Sequence, residues 1–74
     1  IEGEKMRKYL KEMREINNLT QLEVSKKLDI SESYYCLIEN GERQKELSLA
    51  LANNLANVFG VSVEWIIEQE KKTA

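Results

Sequence analysis

The sequence has no proline, no histidine, one cysteine and three glycines among its 74 residues. Without proline, nothing forces a helix to break or kink, and the shortage of glycine favours helices joined by short connections. A single thiol excludes an intrachain disulfide. It also cannot supply the roughly four Cys or His ligands of a structural zinc site. The lack of histidine removes the commonest general base, Cys36 has no activating cation near it in sequence, and no glycine-rich loop is present to cradle a phosphate. These gaps point away from an enzyme, and no cofactor, metal or small-molecule ligand is implied. No apolar run approaches the ~20 residues of a membrane-crossing helix and no signal-peptide pattern appears. The expected setting is therefore cytoplasmic, with no membrane partner. Nor is there a basic excess: 11 Lys and Arg face 13 Asp and Glu, a formal net charge of −2. That balance counts against a nucleic-acid partner, whose usual sign is a basic footprint. The distribution offsets it. Residues 5–14 hold Lys5, Arg7, Lys8, Lys11 and Arg14 against Glu12 alone, whereas Glu46, Glu64, Glu68 and Glu70 lie toward the other end with Lys71 and Lys72.

What is present is enough for one small globular domain, 42% hydrophobic and 32% charged. A domain of this size buries only ~60% of its unfolded-chain surface. Residues 1–5 begin Ile-Glu-Gly and are expected to be a lead-in, disordered or a cloning remnant. Residues 6–69 form the domain and 70–74 a frayed tail.

The chain is organised around Thr20 to Gly41. Thr20 is a suitable N-cap, Val24 and Leu28 share one face of a short helix, and Ser25 between them allows a close helix approach. Asp29 stands where the chain must turn and tolerates a left-handed conformation. Ser31 caps a third helix that runs to about Glu39, and Asn40-Gly41 is a stop signal. Tyr35 and Ile38 fall on the inner face of that helix, with Ser33, Cys36, Leu37 and Asn40 roughly opposite. Before this unit, a first helix over about Lys5–Ile16 presents Met6, Leu10, Met13 and Asn17 on one face, flanked by Tyr9 and Ile16, with Arg14 beside Met13. After it comes a charged loop over Glu42–Leu47. A fourth helix from the Ser48 cap to Phe59 follows, with Leu51, Ala52, Leu55, Ala56 and Phe59 as core. Gly60 ends it. Ser62 caps a fifth helix carrying Val63, Trp65, Ile66 and Ile67 to about Gln69.

Thr20-Gln21, Leu28, Ile30-Ser31, Ser33, Ile38-Glu39-Asn40-Gly41 and Phe59-Gly60-Val61-Ser62 stand at spacings that resemble the phage repressor and Cro-type helix-turn-helix family, over about residues 6–68. The resemblance implies an all-α, five-helix, lambda-repressor-like domain whose second and third helices form the motif. It also implies double-stranded DNA as partner, a transcriptional regulator of repressor type, and pairing into a homodimer. The chain departs from the family in three places. Asp29 replaces the turn glycine and Leu47 the proline before the fourth helix, and the preceding loop is about two residues longer.

The resemblance assigns base reading to Glu32, Ser33 and Leu37, and phosphate contact to Gln21 and Asn40. None of the three readers is Arg or Lys. Glu32 could accept from cytosine, Ser33 could bond several base edges and Leu37 could pack on a thymine methyl. Tyr34, Arg43 and Lys45 are further phosphate candidates. Glu39 matches a family position that forms an ion pair, and Arg14 is its expected partner. Val63, Trp65 and Ile66 are candidates for a dimer interface, because with Ile67 they are more apolar than one helix can hide against so small a core; two of the four are expected to enter the core. A second reading stays open: a module of the same fold that binds a partner protein through the Cys36–Leu37 face.

Overall fold

The computed structural model describes residues 6–73. Five α-helices and no strand occur among them: α1 (Lys8–Ile16), α2 (Gln21–Leu28), α3 (Glu32–Glu39), α4 (Leu49–Phe59) and α5 (Val63–Thr73). α2 packs on α3 and on α4, α4 on α5, and α1 on α3.

Serine and threonine caps set the helix starts. At α2, Thr20 Oγ1 accepts from the Glu23 amide at 3.1 Å while Glu23 Oε1 accepts from the Thr20 amide at 2.8 Å. This capping box satisfies two first-turn donors at once. Ser31, Ser48 and Ser62 accept from the amides of Tyr34, Leu51 and Trp65 in the same way. α2 ends at Asp29, which takes the left-handed conformation at φ 60° and sends its amide back to the carbonyls of Lys26 and Ser25. α4 ends at Gly60, also left-handed at φ 69°. A Cβ there would meet nothing, so the backbone conformation, not space, calls for glycine.

Leu10, Val24, Tyr35, Ile38, Leu55 and Ile66 are fully buried, with Tyr9, Leu28, Ala52, Ala56 and Phe59 around them. Ser25 is also enclosed between α2 and its neighbours. Its hydroxyl donates to the Leu22 carbonyl at 2.7 Å, so the small residue leaves no free donor in the core.

The structure corrects the expected outline at both ends. α1 starts at Lys8 instead of Lys5, which lies outside the described residues. Arg7 precedes the helix because its amide donates to the Glu39 carbonyl at 2.9 Å and its side chain turns inward. Asn17 and Ile16 are exposed, the latter 72%. α5 continues past Gln69 to Thr73, through the span expected to fray, because Glu70 is engaged by Arg7 and Tyr9. Ile66, a candidate for an interface between copies, is wholly buried. Trp65 packs edge-on against Tyr9 with ring centroids 5.9 Å apart, and Val63 rests on the same core. Ile66 is the one of the three that the core encloses; Val63 and Trp65 are half-buried, and Ile67 and the first residue of α4, Leu49, are exposed large apolar groups of this side.

Candidate nucleic-acid interface

α3 lies over the core through Tyr35 and Ile38 and turns its other face outward. Glu32, Ser33, Cys36 and Leu37 line a shallow cleft there, closed on one side by Gln21 from the start of α2. The first residues of α2 and α3, Gln21 and Glu32, both line this cleft. The capping box of α2 occupies the Glu23 amide and leaves those of Gln21 and Leu22 pointing out of the helix, where such donors favour an anion.

The helix pair is held in place from within. Arg14 meets the Glu39 carboxylate through two parallel bonds, Nε to Oε2 and Nη2 to Oε1, both 3.0 Å. Its remaining Nη1 donates to the Leu19 carbonyl at 3.3 Å. Gln21 Nε2 donates to Glu39 Oε1 at 3.1 Å, which ties the start of α2 to the end of α3. Burial pushes the Glu39 carboxyl up, but the bonds from Arg14 and Gln21 outweigh it, and the group sits below the ordinary carboxylate value. The Arg14 guanidinium is raised in turn by its hydrogen bonds to Glu39. Gln21 therefore keeps only part of its amide for an outside partner.

Arg43 and Lys45 are exposed on the loop between α3 and α4. Tyr34 Oη accepts from Gln44 Nε2 at 2.9 Å and keeps its own proton to donate. Asn40 is half-buried, with Nδ2 3.7 Å from Cys36 Sγ. The basic stretch at the start of the chain is less available than its composition implies. Arg14 is paired, and Arg7 is only 3% exposed, which leaves Lys8 and Lys11 in solvent. Arg7 is the residue the sequence reading missed. It lies three positions before Leu10, and its partner Glu70 lies four after Ile66, so helical spacing from two core residues was the available signal.

An all-α domain with two capped helices meeting across a three-residue turn, the second offering an unpaired outer face, defines a helix-turn-helix protein. The helix-turn-helix family profile matches residues 10–66. An uncharacterized HTH-type transcriptional regulator of Methanocaldococcus jannaschii is 38% identical over 65 residues, covering 88% of this chain and 96% of that protein. No solved structure matches at comparable stringency. The chain belongs to the Cro/C1-type helix-turn-helix family, and its class is that of DNA-binding transcription regulators. No helix among the described residues is long and apolar enough to cross a membrane.

Proposed function

We propose that this protein binds double-stranded DNA sequence-specifically as a cytoplasmic, non-enzymatic transcriptional repressor, with α3 in the major groove. The observation that carries the reading is the outer cleft of α3, where Glu32, Ser33 and Leu37 share one surface with the N-terminus of α2. In this reading those three side chains meet base edges. Gln21, Tyr34, Asn40, Arg43 and Lys45 hold the flanking phosphates. A single helix-turn-helix half-site offers little contact area and such proteins pair two half-sites ~34 Å apart, so the reading includes a two-fold dimer. The groove between the start of α4 and α5 suits that role. It carries Leu47, Leu49 and Ile67, and its rim bears both signs, Glu46 and Lys71. A two-fold contact requires such self-complementarity.

A second reading has its own observation: α3, ESYYCLIE, carries no cation. On that reading the half-buried Cys36 and Leu37 face a partner protein. Selection from a randomised duplex library at several salt concentrations separates the two. Sequence-selective retention is expected. Leu37→Ala should abolish a thymine preference of ~1–3 kcal/mol at one position per half-site. The slope of log K against log salt should not change, because no counterion release is involved. No retention of any duplex at low salt would overturn the DNA reading and leave the partner-protein one.

A further inference from the structure

Arg7 is the most fully bonded side chain among the described residues. Its Nε donates to Glu70 Oε2 at 2.9 Å and its Nη2 to Glu70 Oε1 at 3.2 Å. Nη1 donates to the Ile38 carbonyl at 2.7 Å and to the Arg43 carbonyl at 3.1 Å, and Nη2 donates to the Gln44 carbonyl. All five N–H donors of the guanidinium are thus in use. Glu70 takes two of them and so fixes the plane of the fork. The other three are aimed at the end of α3 and at the loop that carries Arg43 and Lys45.

That loop needs external support. Its first half is held by backbone bonds: the amides of Glu42 and Arg43 donate to the Leu37 carbonyl at 2.9 and 3.2 Å. Gln44 then takes a left-handed conformation at φ 55°, one that side chains other than glycine rarely adopt. From this point to the Ser48 cap the described contacts are side-chain ones. Gln44 Nε2 reaches Tyr34 Oη at 2.9 Å, Gln44 Oε1 accepts from the Ser48 amide at 3.4 Å, and Arg7 captures the Arg43 and Gln44 carbonyls. Arg7 itself is 3% exposed and its charge is met by Glu70, so it has no surface to offer a phosphate.

We infer that Arg7, held by Glu70, is a positioning residue for DNA binding: it orders the α3–α4 loop so that Arg43 and Lys45 meet the phosphate backbone together. The inference rests on the reading of Arg43 and Lys45 as phosphate contacts. It makes the end of α5 part of the DNA-binding apparatus without touching DNA. A lysine at position 7 keeps the charge but brings its donors from one point, and it cannot bridge Glu70 and three carbonyls at once.

The test compares the salt dependence of duplex binding for the parent, Arg7→Lys, Glu70→Gln, the double variant Arg43→Ala/Lys45→Ala, and that double variant with Arg7→Lys added. Expected is a slope of log K against log salt that falls by about one unit per lost phosphate contact in Arg43→Ala/Lys45→Ala. A similar fall is expected in Arg7→Lys, a smaller one in Glu70→Gln, and none from Arg7→Lys in the double-variant background. In the DNA-free protein, backbone order parameters of residues 43–47 should drop in Arg7→Lys below about 0.6, while those of α2 and α3 stay near ~0.85. Phe59→Leu, a core change at the end of α4 away from the loop, should lower stability and keep the parental slope. A fall in Arg43→Ala/Lys45→Ala with a parental slope in both Arg7→Lys and Glu70→Gln overturns the positioning role alone. A further fall on adding Arg7→Lys to the double variant overturns it too, because Arg7 would then be contacting phosphate itself. A parental slope in Arg43→Ala/Lys45→Ala overturns the phosphate reading and the inference with it. Should Arg7→Lys not fold, Glu70→Gln decides.

Discussion

Arg14–Glu39 and Arg7–Glu70 are chemically the same pair, a guanidinium fork on a carboxylate, and both close long sequence separations across the core. They differ in what else the arginine holds. Arg14 gives one donor to a carbonyl, that of Leu19. Arg7 gives three, to Ile38, Arg43 and Gln44. They differ also in their carboxylates: the Glu39 side chain is 5% exposed and the Glu70 side chain 21%. Each has a tyrosine beside it. Tyr9 donates its hydroxyl to Glu70, whereas the hydroxyl of Tyr35 is enclosed close to Glu39 and Arg14 without reaching hydrogen-bond geometry with either. One pair joins helix to helix. The other joins three segments, and its carboxylate chiefly aims the fork.

The sharpest way to break this comparison is to remove each pair in full. Arg14→Met leaves the Glu39 carboxylate buried with one amide partner, and Arg7→Met leaves three carbonyls and Glu70 behind. Either single change should cost ~3–5 kcal/mol in urea unfolding. The double variants should diverge. Arg14→Met/Glu39→Leu should recover much of that loss, because both charges go and only the Leu19 carbonyl and the Gln21 side-chain amide must find water. Arg7→Met/Glu70→Leu should recover little, because the Arg43 and Gln44 carbonyls remain without donors and that of Ile38 keeps only the Gly41 amide. Equal recovery in the two cycles would mean that the carbonyl bonds of Arg7 contribute nothing.

The difference between the pairs is also a difference in legibility. Glu39 sits inside the Ile38-Glu39-Asn40-Gly41 run that carries the family resemblance and Arg14 beside Met13 on the apolar face of α1, so the resemblance together with that face brings them together. Arg7 and Glu70 are 63 positions apart. One was hidden in a run of five cations that composition makes look solvent-facing, and the other in a span expected to fray. The helix-turn-helix itself was plain from Thr20, Ser31, Asp29 and the inner Tyr35 and Ile38, because caps and periodicity are local signals. Which apolar residues of α5 enter the core was left open for the opposite reason. Counting apolar residues on α5 cannot say how many the core accepts, and Tyr9 gives Trp65 a ring to pack on that no pattern within α5 reveals.

Acid should separate the pairs next. The Glu39 carboxyl is depressed in the folded protein. Its contribution is therefore fully present above the unfolded value of ~4.3 and is lost as pH falls through the folded one. Stability of the parent should decline over that window, and Arg14→Met should flatten the decline because the main partner of the carboxylate is gone. Urea titrations from pH 6 downward, in half-unit steps, check this. An unchanged acid slope in Arg14→Met would show that the Gln21 bond alone depresses Glu39.

The tyrosines offer a smaller and more discriminating contrast. Tyr9→Phe removes a hydroxyl that donates to a carboxylate, and a bond of that kind is worth ~1.5–3 kcal/mol. Its loss should appear as a lower urea midpoint with an unchanged m-value.

Tyr35→Phe should go the other way. The Tyr35 hydroxyl is fully enclosed and has no hydrogen-bond partner. Such a group forfeits its hydration without compensation, so deleting the oxygen should raise stability, by up to ~1 kcal/mol once the small cavity left behind is counted. Burial, followed by the nearby Glu39 charge, raises the Tyr35 phenol well above the ordinary tyrosine value of 10.0. The unfolded chain therefore releases that proton first as pH climbs, and the protein loses stability above about pH 10. Tyr35→Phe should remove one proton from this alkaline loss, a slope of ~1.4 kcal/mol per pH unit. A neutral-pH loss of more than ~1 kcal/mol in Tyr35→Phe would mean that the hydroxyl donates to Glu39 in solution. The two arginine–glutamate pairs would then each rest on a tyrosine, and the contrast between them would narrow to the carbonyls that Arg7 holds.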